Sequence, residues 1–401
     1  MKKSILLLIS IYAISSCSQN SNRIYFSIDP KDFMIIIPVE LNDSTTVDMI
    51  FDTGAHDNAF YVDSGYMSAY SHLLSDASNL KFRTGSAWDN IRSDCVQYVT
   101  PHDVKIGNVK VDYTHLYVTD WEEMMGYTDN YGLFNIPKGD SLHVWEINFE
   151  NNYLEIHQAA EFNMPKNTIL LPMIENTTKI FNVNIPLKVK CSDGDTLTIN
   201  RTFLIDTGMA RDMAIRSPAE ELDFFNKKED AVWTLHGKGY HRYYTVDAVL
   251  FDNLKVDSLR IYTFDNPYDV TTKYLVGLNF LKRFNVFFDM KNRQVGLQPL
   301  NTFQRIVNPT SMRYYCLTEW ASDGEMMLIT KVGDYKGNFY KTAGIRAGDK
   351  VRKINGNLVK DMPGKDRVEA HLRDTIVYEI IREGESINIV IPIDKSQQNG
   401  D

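Results

Sequence analysis

The sequence predicts an all-β protein: two pseudo-symmetric β units that pair into one bilobal barrel, followed by a small β-rich third module. Three observations predict it. First, Met49-Ile50-Phe51-Asp52-Thr53-Gly54 returns as Phe203-Leu204-Ile205-Asp206-Thr207-Gly208, each an apolar run typical of a buried strand that ends in a carboxylate, a hydroxyl and a glycine. Second, matching strands and turns surround both copies, which makes an internal repeat of about 130 residues. Third, past Leu300 the composition shifts, and a new pattern of glycines and alternating apolar strands begins.

With 401 residues, 43% hydrophobic and 24% charged, the chain is long and apolar enough for two or three domains with real cores, and is not disordered. Its formal net charge is −9 and no Lys/Arg cluster stands out, so no nucleic-acid partner is expected.

Met1-Lys2-Lys3 followed by Ser4 to Ile14 is a short basic and then a short apolar stretch, too short to span a bilayer and therefore a signal peptide. It ends in Ile14-Ser15-Ser16-Cys17. Small residues before a cysteine resemble the bacterial lipobox, which implies a signal peptide over 1–17 and acylation of Cys17. The protein is then a lipid-anchored membrane partner at the cell envelope, on the outer-membrane or periplasmic face, with Ser18 to Asn22 as a tether. The alternative is an ordinary cleaved signal with an incidental cysteine. No later stretch is long and apolar enough for a transmembrane helix. Cys95, Cys191 and Cys316 remain, one per candidate domain, so neither a zinc motif nor a disulfide framework is indicated, and no metal or cofactor is expected.

The first unit, residues 24–160, opens with a strand at Phe33 to Leu41, turns at Asn42-Asp43-Ser44 and runs a second strand into Asp52. The second unit, residues 171–301, repeats the plan. Val183 to Lys190 is a strand, Ser192-Asp193-Gly194-Asp195 a hairpin turn, and Thr196 to Ile205 runs into Asp206. Downstream, Asn130-Tyr131-Gly132-Leu133 corresponds to Leu275-Val276-Gly277-Leu278. Each unit closes with a hairpin, Trp145 to Ile156 in the first and Val286 to Leu297 in the second. The polar residues 157–170, with Pro165, separate them.

Two carboxylates at the ends of buried strands can share one proton, one acting as general base and the other as general acid. Tandem Asp-Thr-Gly units resemble the aspartic proteases, and the chain is similar to a bacterial retropepsin-like or pepsin-like aspartyl protease. The resemblance implies an intramolecular catalytic dyad of Asp52 and Asp206, an aspartic-type endopeptidase acting on a peptide or protein substrate, and a monomer built as an internal pseudo-dimer. Thr53 and Thr207 would lock the two loops across the interface, and Gly54 and Gly208 would bring backbone N–H groups close to the carboxylates. The hydrophobic-hydrophobic-Gly elements would cross behind the loops. Flap hairpins over the cleft fall at Thr84 to Asn90, with Gly85 and Trp88, and at Leu235 to Tyr240, with Gly237 and Gly239; plain surface hairpins are the alternative. After the triplet, Ala55 matches the retroviral Asp-Thr-Gly-Ala, and Asp57 falls near that branch's acidic pair. Met209 fits neither branch and offers Asp206 no hydroxyl.

In the third module, residues 311–395, Ala343-Gly344-Ile345-Arg346-Ala347-Gly348-Asp349 leading to Ile354-Asn355-Gly356 resembles the PDZ signature. Alternating strands are expected around Met326 to Val332, Val377 to Ile381 and Ile387 to Ile393. The family's Gly-Leu-Gly-Phe-type loop is absent, and the corresponding region reads Met312-Arg313-Tyr314-Tyr315, so the resemblance implies the PDZ-like fold; a packing or spacer domain is the alternative role. His-Glu-x-x-His, Gly-x-Ser-x-Gly and phosphate-binding glycine loops are missing, which removes support for metalloprotease, serine-hydrolase and nucleotide chemistry. His236 and His241 read as surface residues. The alternative to an enzyme is a non-catalytic envelope protein that grips extended peptides in the cleft and the PDZ-like domain by strand addition.

Overall fold

The computed structural model describes residues 22–28, 34–41, 45–56, 60–63, 81–85, 92–99, 103–113, 115–119, 132–174, 181–228, 232–236, 239–264, 272–301, 303, 316–321, 324–332, 339–362, 367, 370 and 374–392. Cys17 and Ser18 to Ser21 of its tether, Asp57, Trp88, Gly237 and Met312 to Tyr315 lie outside them. The fold is nearly all β.

Among the described residues the strands form four sheets. The first unit folds into a ten-stranded sheet and the second into a seven-stranded one. Strand patterning explains both. Ile35–Leu41 buries alternate residues from Ile35 to Leu41 and turns Pro38 and Glu40 outward, the period of two that a one-sided strand requires. Thr196–Asp206 alternates over its outer half and is wholly buried from Phe203 to Asp206, so the aspartate emerges where the strand is covered on both faces.

The two units share one plan, legible in the register. Gly132–Phe134 runs parallel to Thr45–Phe51 and antiparallel to Phe60–Asp63. Tyr274–Gly277 runs parallel to Thr196–Asp206 and antiparallel to Met213–Arg216. The pairs Leu133↔Tyr61 and Leu275↔Ala214 are therefore equivalent. This corrects one expectation from the sequence. The counterpart of Leu275-Val276-Gly277-Leu278 is Leu133-Phe134-Asn135-Ile136, three residues beyond Asn130-Tyr131-Gly132-Leu133: Gly132 pairs Met49, whereas Gly277 pairs Asp206 itself. The glycine misled the alignment because in the first unit an asparagine occupies the place.

A third, six-stranded sheet ties the units together. Its centre is the two closing hairpins, His143–Asn148 with Tyr153–Gln158 and Phe284–Asp289 with Gln294–Pro299, joined antiparallel through Trp145↔Phe288 and Ile147↔Val286. The edges are the strands that lead into each unit, Arg23–Tyr25 and Ile169–Pro172. An antiparallel central pair with matching flanks is what a pseudo-twofold axis generates. The architecture is a bilobal β fold.

One continuous apolar core runs through both lobes and this sheet, including Phe51, Phe134, Trp145, Phe181, Phe288 and Val295. Trp145 is fully buried and stacks on Phe51, which stacks in turn on Phe134. Burial of one such side chain contributes about 1.5 to 3 kcal/mol, so the ring stack is a large part of what holds the Asp52 loop to the sheet below it.

The last sheet comprises Cys316–Trp320, Met327–Val332, Lys350–Ile354, Asn357–Leu358, Thr375–Arg382 and Glu385–Pro392. It carries its own core, with Ile329, Phe339, Ile345, Val351, Ile376 and Ile380. The glycine signature is pinned there: Arg382 forks onto buried Asp349 through two bonds of 2.7 Å and also donates to the Gly344 carbonyl. Among the described residues no helix is long and apolar enough to cross a membrane.

Candidate active site

Each aspartate sits at the end of a strand that the fold buries, and the turn after it crosses to the other unit. Thr53 N–H donates to the Thr207 hydroxyl at 3.0 Å, and Thr207 N–H donates to the Thr53 hydroxyl at 3.1 Å. Each hydroxyl then donates onward across the interface, Thr53 to the Ile205 carbonyl at 2.9 Å and Thr207 to the Phe51 carbonyl at 2.6 Å. Both threonines are fully buried. In a site shielded from water, four reciprocal bonds between loops 154 residues apart fix their relative position far better than apolar contact would.

The lock brings the aspartates together. A Cβ placed on Gly54 would fall 2.2 Å from the Asp206 Cγ, and one on Gly208 would fall 2.4 Å from the Asp52 Cγ. Each glycine thus leaves the space that the other unit's carboxyl occupies. Gly54 and Ala55 donate backbone N–H to the Asp52 Oδ1 at 2.8 and 3.0 Å. Asp206 is 6% exposed, whereas Asp52 is half-buried.

The elements behind the loops differ in chemistry while doing the same work. In the second unit the Leu278 N–H donates to the Met209 carbonyl at 2.6 Å and the Gly277 N–H to the Asp212 carbonyl at 2.8 Å. In the first unit, the fully buried Asn135 side chain donates to the Ala55 carbonyl at 3.0 Å and accepts from Ile136 N–H at 2.7 Å. Nothing in the sequence marks Asn135, because the element behind such a loop is legible there only through its glycine.

Two apolar clusters flank the dyad at equivalent positions. In the first lobe Ile50, Tyr61 and Leu133 pack with the partly buried Ile36, Ala55 and Tyr117. His56 meets Tyr61 and Tyr117 edge-on there, with its Nε2 2.5 Å from the Tyr61 hydroxyl. In the second lobe Met209 joins Leu204, Ala214, Tyr243, Tyr262 and Phe264, all buried. The methionine is therefore a filler that takes the volume left by small Ala214 where Tyr61 stands in the first lobe. Below it, Asp212 is buried, and burial pushes its carboxyl up, opposed by the charges of Arg283 and Arg260.

Arg216, at the position equivalent to Asp63, is 3% exposed. Burial pushes its guanidinium below the usual value, while the Asp206 carboxylate pulls it up. A buried cation within electrostatic reach of Asp206 favours the ionised form of that aspartate.

Of the expected flap residues, Gly85 pairs Arg92 at the end of the hairpin Lys81–Gly85 and Arg92–Val99, and Gly239 pairs His236 at the end of Val232–His236 and Gly239–Leu250. Cys191 is buried.

No protein-family model matches this chain, and no curated protein matches it. Among solved structures, it is similar to the aspartic proteinase from Irpex lacteus at 11% sequence identity, over 71% of this chain and 99% of that one, with a TM-score of 0.47.

Proposed function

We propose that this protein is an aspartic-type endopeptidase with an intramolecular dyad of Asp52 and Asp206. The observation that carries the proposal is the reciprocal contact of Gly54 with Asp206 and Gly208 with Asp52, enforced by the crossed threonines. Two carboxyls so close in a partly dry site do not both ionise, and hold one proton between them. A water bound between them loses a proton to the ionised member as it attacks a peptide carbonyl, and the protonated member donates to the carbonyl oxygen. Arg216 favours negative charge on Asp206, while the Gly54 and Ala55 N–H groups favour it on Asp52, so the one proton belongs to the pair jointly. The hairpins ending at Gly85 and Gly239 are the flaps that close over an extended peptide.

The chain acts, on this proposal, at a bacterial envelope, anchored through Cys17, with residues 311–395 as a PDZ-like module that positions the peptidase or its substrate. The test is cleavage of a proteome-derived peptide library by the wild type, Asp52→Asn and Asp206→Asn. Each variant should abolish cleavage with the fold intact, and the double variant should be no worse than either single one. Activity against pH should be bell-shaped and belong to the pair jointly. A folded wild type that cleaves nothing from acidic to neutral pH would make the cleft a peptide-binding groove.

A further inference from the structure

The six-stranded sheet carries a second cluster of ionisable side chains on the face turned away from the aspartates. Trp145 faces the dyad loop, where it stacks on Phe51, so its neighbour Glu146 points to the opposite face. Glu155 is the direct cross-strand partner of Glu146, and His157, two residues further along, shares that face. One ligand atom from each of the three lies within 4.8 Å of the others, and His157 Nε2 is 2.8 Å from the Glu146 Oε2.

Two carboxylates directly opposite on neighbouring strands repel, and Glu146 is only 8% exposed. The surrounding groups orient them. Asn148 donates to the Glu146 Oε1 at 2.9 Å and the Tyr153 hydroxyl reaches the same oxygen at 3.3 Å, which leaves Oε2 turned to His157. Arg23, on the edge strand Arg23–Tyr25, holds the Glu155 Oε2 at 2.7 Å and leaves Oε1. The His157 ring is seated against Phe162, which packs on Phe287. With a neutral imidazole, the ligand form, the set carries two carboxylates against one guanidinium. His157 and Glu155 keep side-chain exposures of 23% and 15%, which gives an ion a way in.

We propose that Glu146, Glu155 and His157 form a structural site for one divalent cation of the zinc class, bound by Glu146 Oε2, Glu155 Oε1 and His157 Nε2, with water completing the shell. One imidazole nitrogen with two carboxylate oxygens is a borderline donor set, which suits zinc better than magnesium or calcium. Asn148, Tyr153 and Arg23 are the outer partners that orient the ligands. The cation would cross-link adjacent strands of the sheet that joins the lobes, a role independent of the peptidase proposal.

The test uses the full chain without a histidine tag, freed of metal by a chelator and titrated with ZnSO4 and with CoCl2. One equivalent of zinc should bind and raise the Tm, and cobalt should give a visible absorption band. His157→Gln should weaken zinc binding by more than about 100-fold and remove the band, since loss of an outer partner alone costs about 10- to 100-fold. Should His157→Gln not fold, Glu155→Gln, nearer the rim, carries the same expectation. Chelation should lower the Tm and leave peptide cleavage at ambient temperature unchanged. Absence of one-equivalent binding by the wild type, or a cobalt band that survives both substitutions, would overturn the site and leave the cluster an ion-pair network.

Discussion

Gly208 lies so close against Asp52 that a side chain on it would sit 2.5 Å from the carboxyl Oδ1. The contact is with the aspartate of the other lobe, and Gly54 makes the same contact with Asp206. Gly208→Ala should therefore separate the lobes at the dyad rather than unfold either one. Peptide cleavage should fall by at least 100-fold, as about 1 Å of misplacement costs, with far-UV circular dichroism unchanged. Full activity in Gly208→Ala would show that the aspartates do not work as a pair.

Thr207→Val keeps the shape of the side chain but removes the acceptor for Thr53 N–H and the donor to the Phe51 carbonyl. Two buried groups are left unsatisfied, and the loss of stability should be about 2 to 4 kcal/mol by urea unfolding. Thr53→Val should cost about the same. The double variant should cost less than their sum, because each single change already breaks the shared lock.

Glu221 is buried and receives a bond from the Tyr274 hydroxyl at 2.5 Å and from Arg201 Nε at 2.7 Å. Burial alone would raise its carboxyl, but the Tyr274 and Arg201 bonds outweigh it and hold it below the ordinary value of 4.5. A depressed carboxylate stabilises the fold above its unfolded pKa and loses that contribution as pH falls through the folded one. Thermal melts should therefore show the wild type losing stability below about pH 4.5 more steeply than Glu221→Gln. Parallel curves would mean that the bonds do not depend on the charge of Glu221.

Acylation at Cys17 predicts that the mature protein sediments with membranes, since two or more acyl chains anchor stably where one does not. Cys17→Ser should move it to the soluble fraction. A wild type that is soluble would remove the anchor.

Separate expression of residues 302–401 should give a cooperative thermal transition, because Ile329, Val351, Ile376 and Ile380 belong to a core distinct from that of the two lobes. A disordered product would make this sheet an extension of the second lobe.

The sequence by itself determined the class of fold, because strand alternation and a buried run ending in Asp-Thr-Gly are local patterns, and their repetition needs no tertiary information to be seen. It also marked Asp52, Thr53, Gly54, Asp206, Thr207 and Gly208 as one set. What only the tertiary structure decided was register and company. A glycine stands in the sequence at 132, yet hydrogen bonding places Asn135 behind the first loop, where its side-chain amide donates to the Ala55 carbonyl, the counterpart of the Met209 carbonyl that the Leu278 N–H meets in the second unit. Met209 breaks the motif on paper and fills the volume beside Ala214 in space. The reach of Arg216's charge to Asp206, and the meeting of Glu146 with Glu155 and His157, join residues of different strands, and no periodicity within one strand encodes which strand will lie beside it.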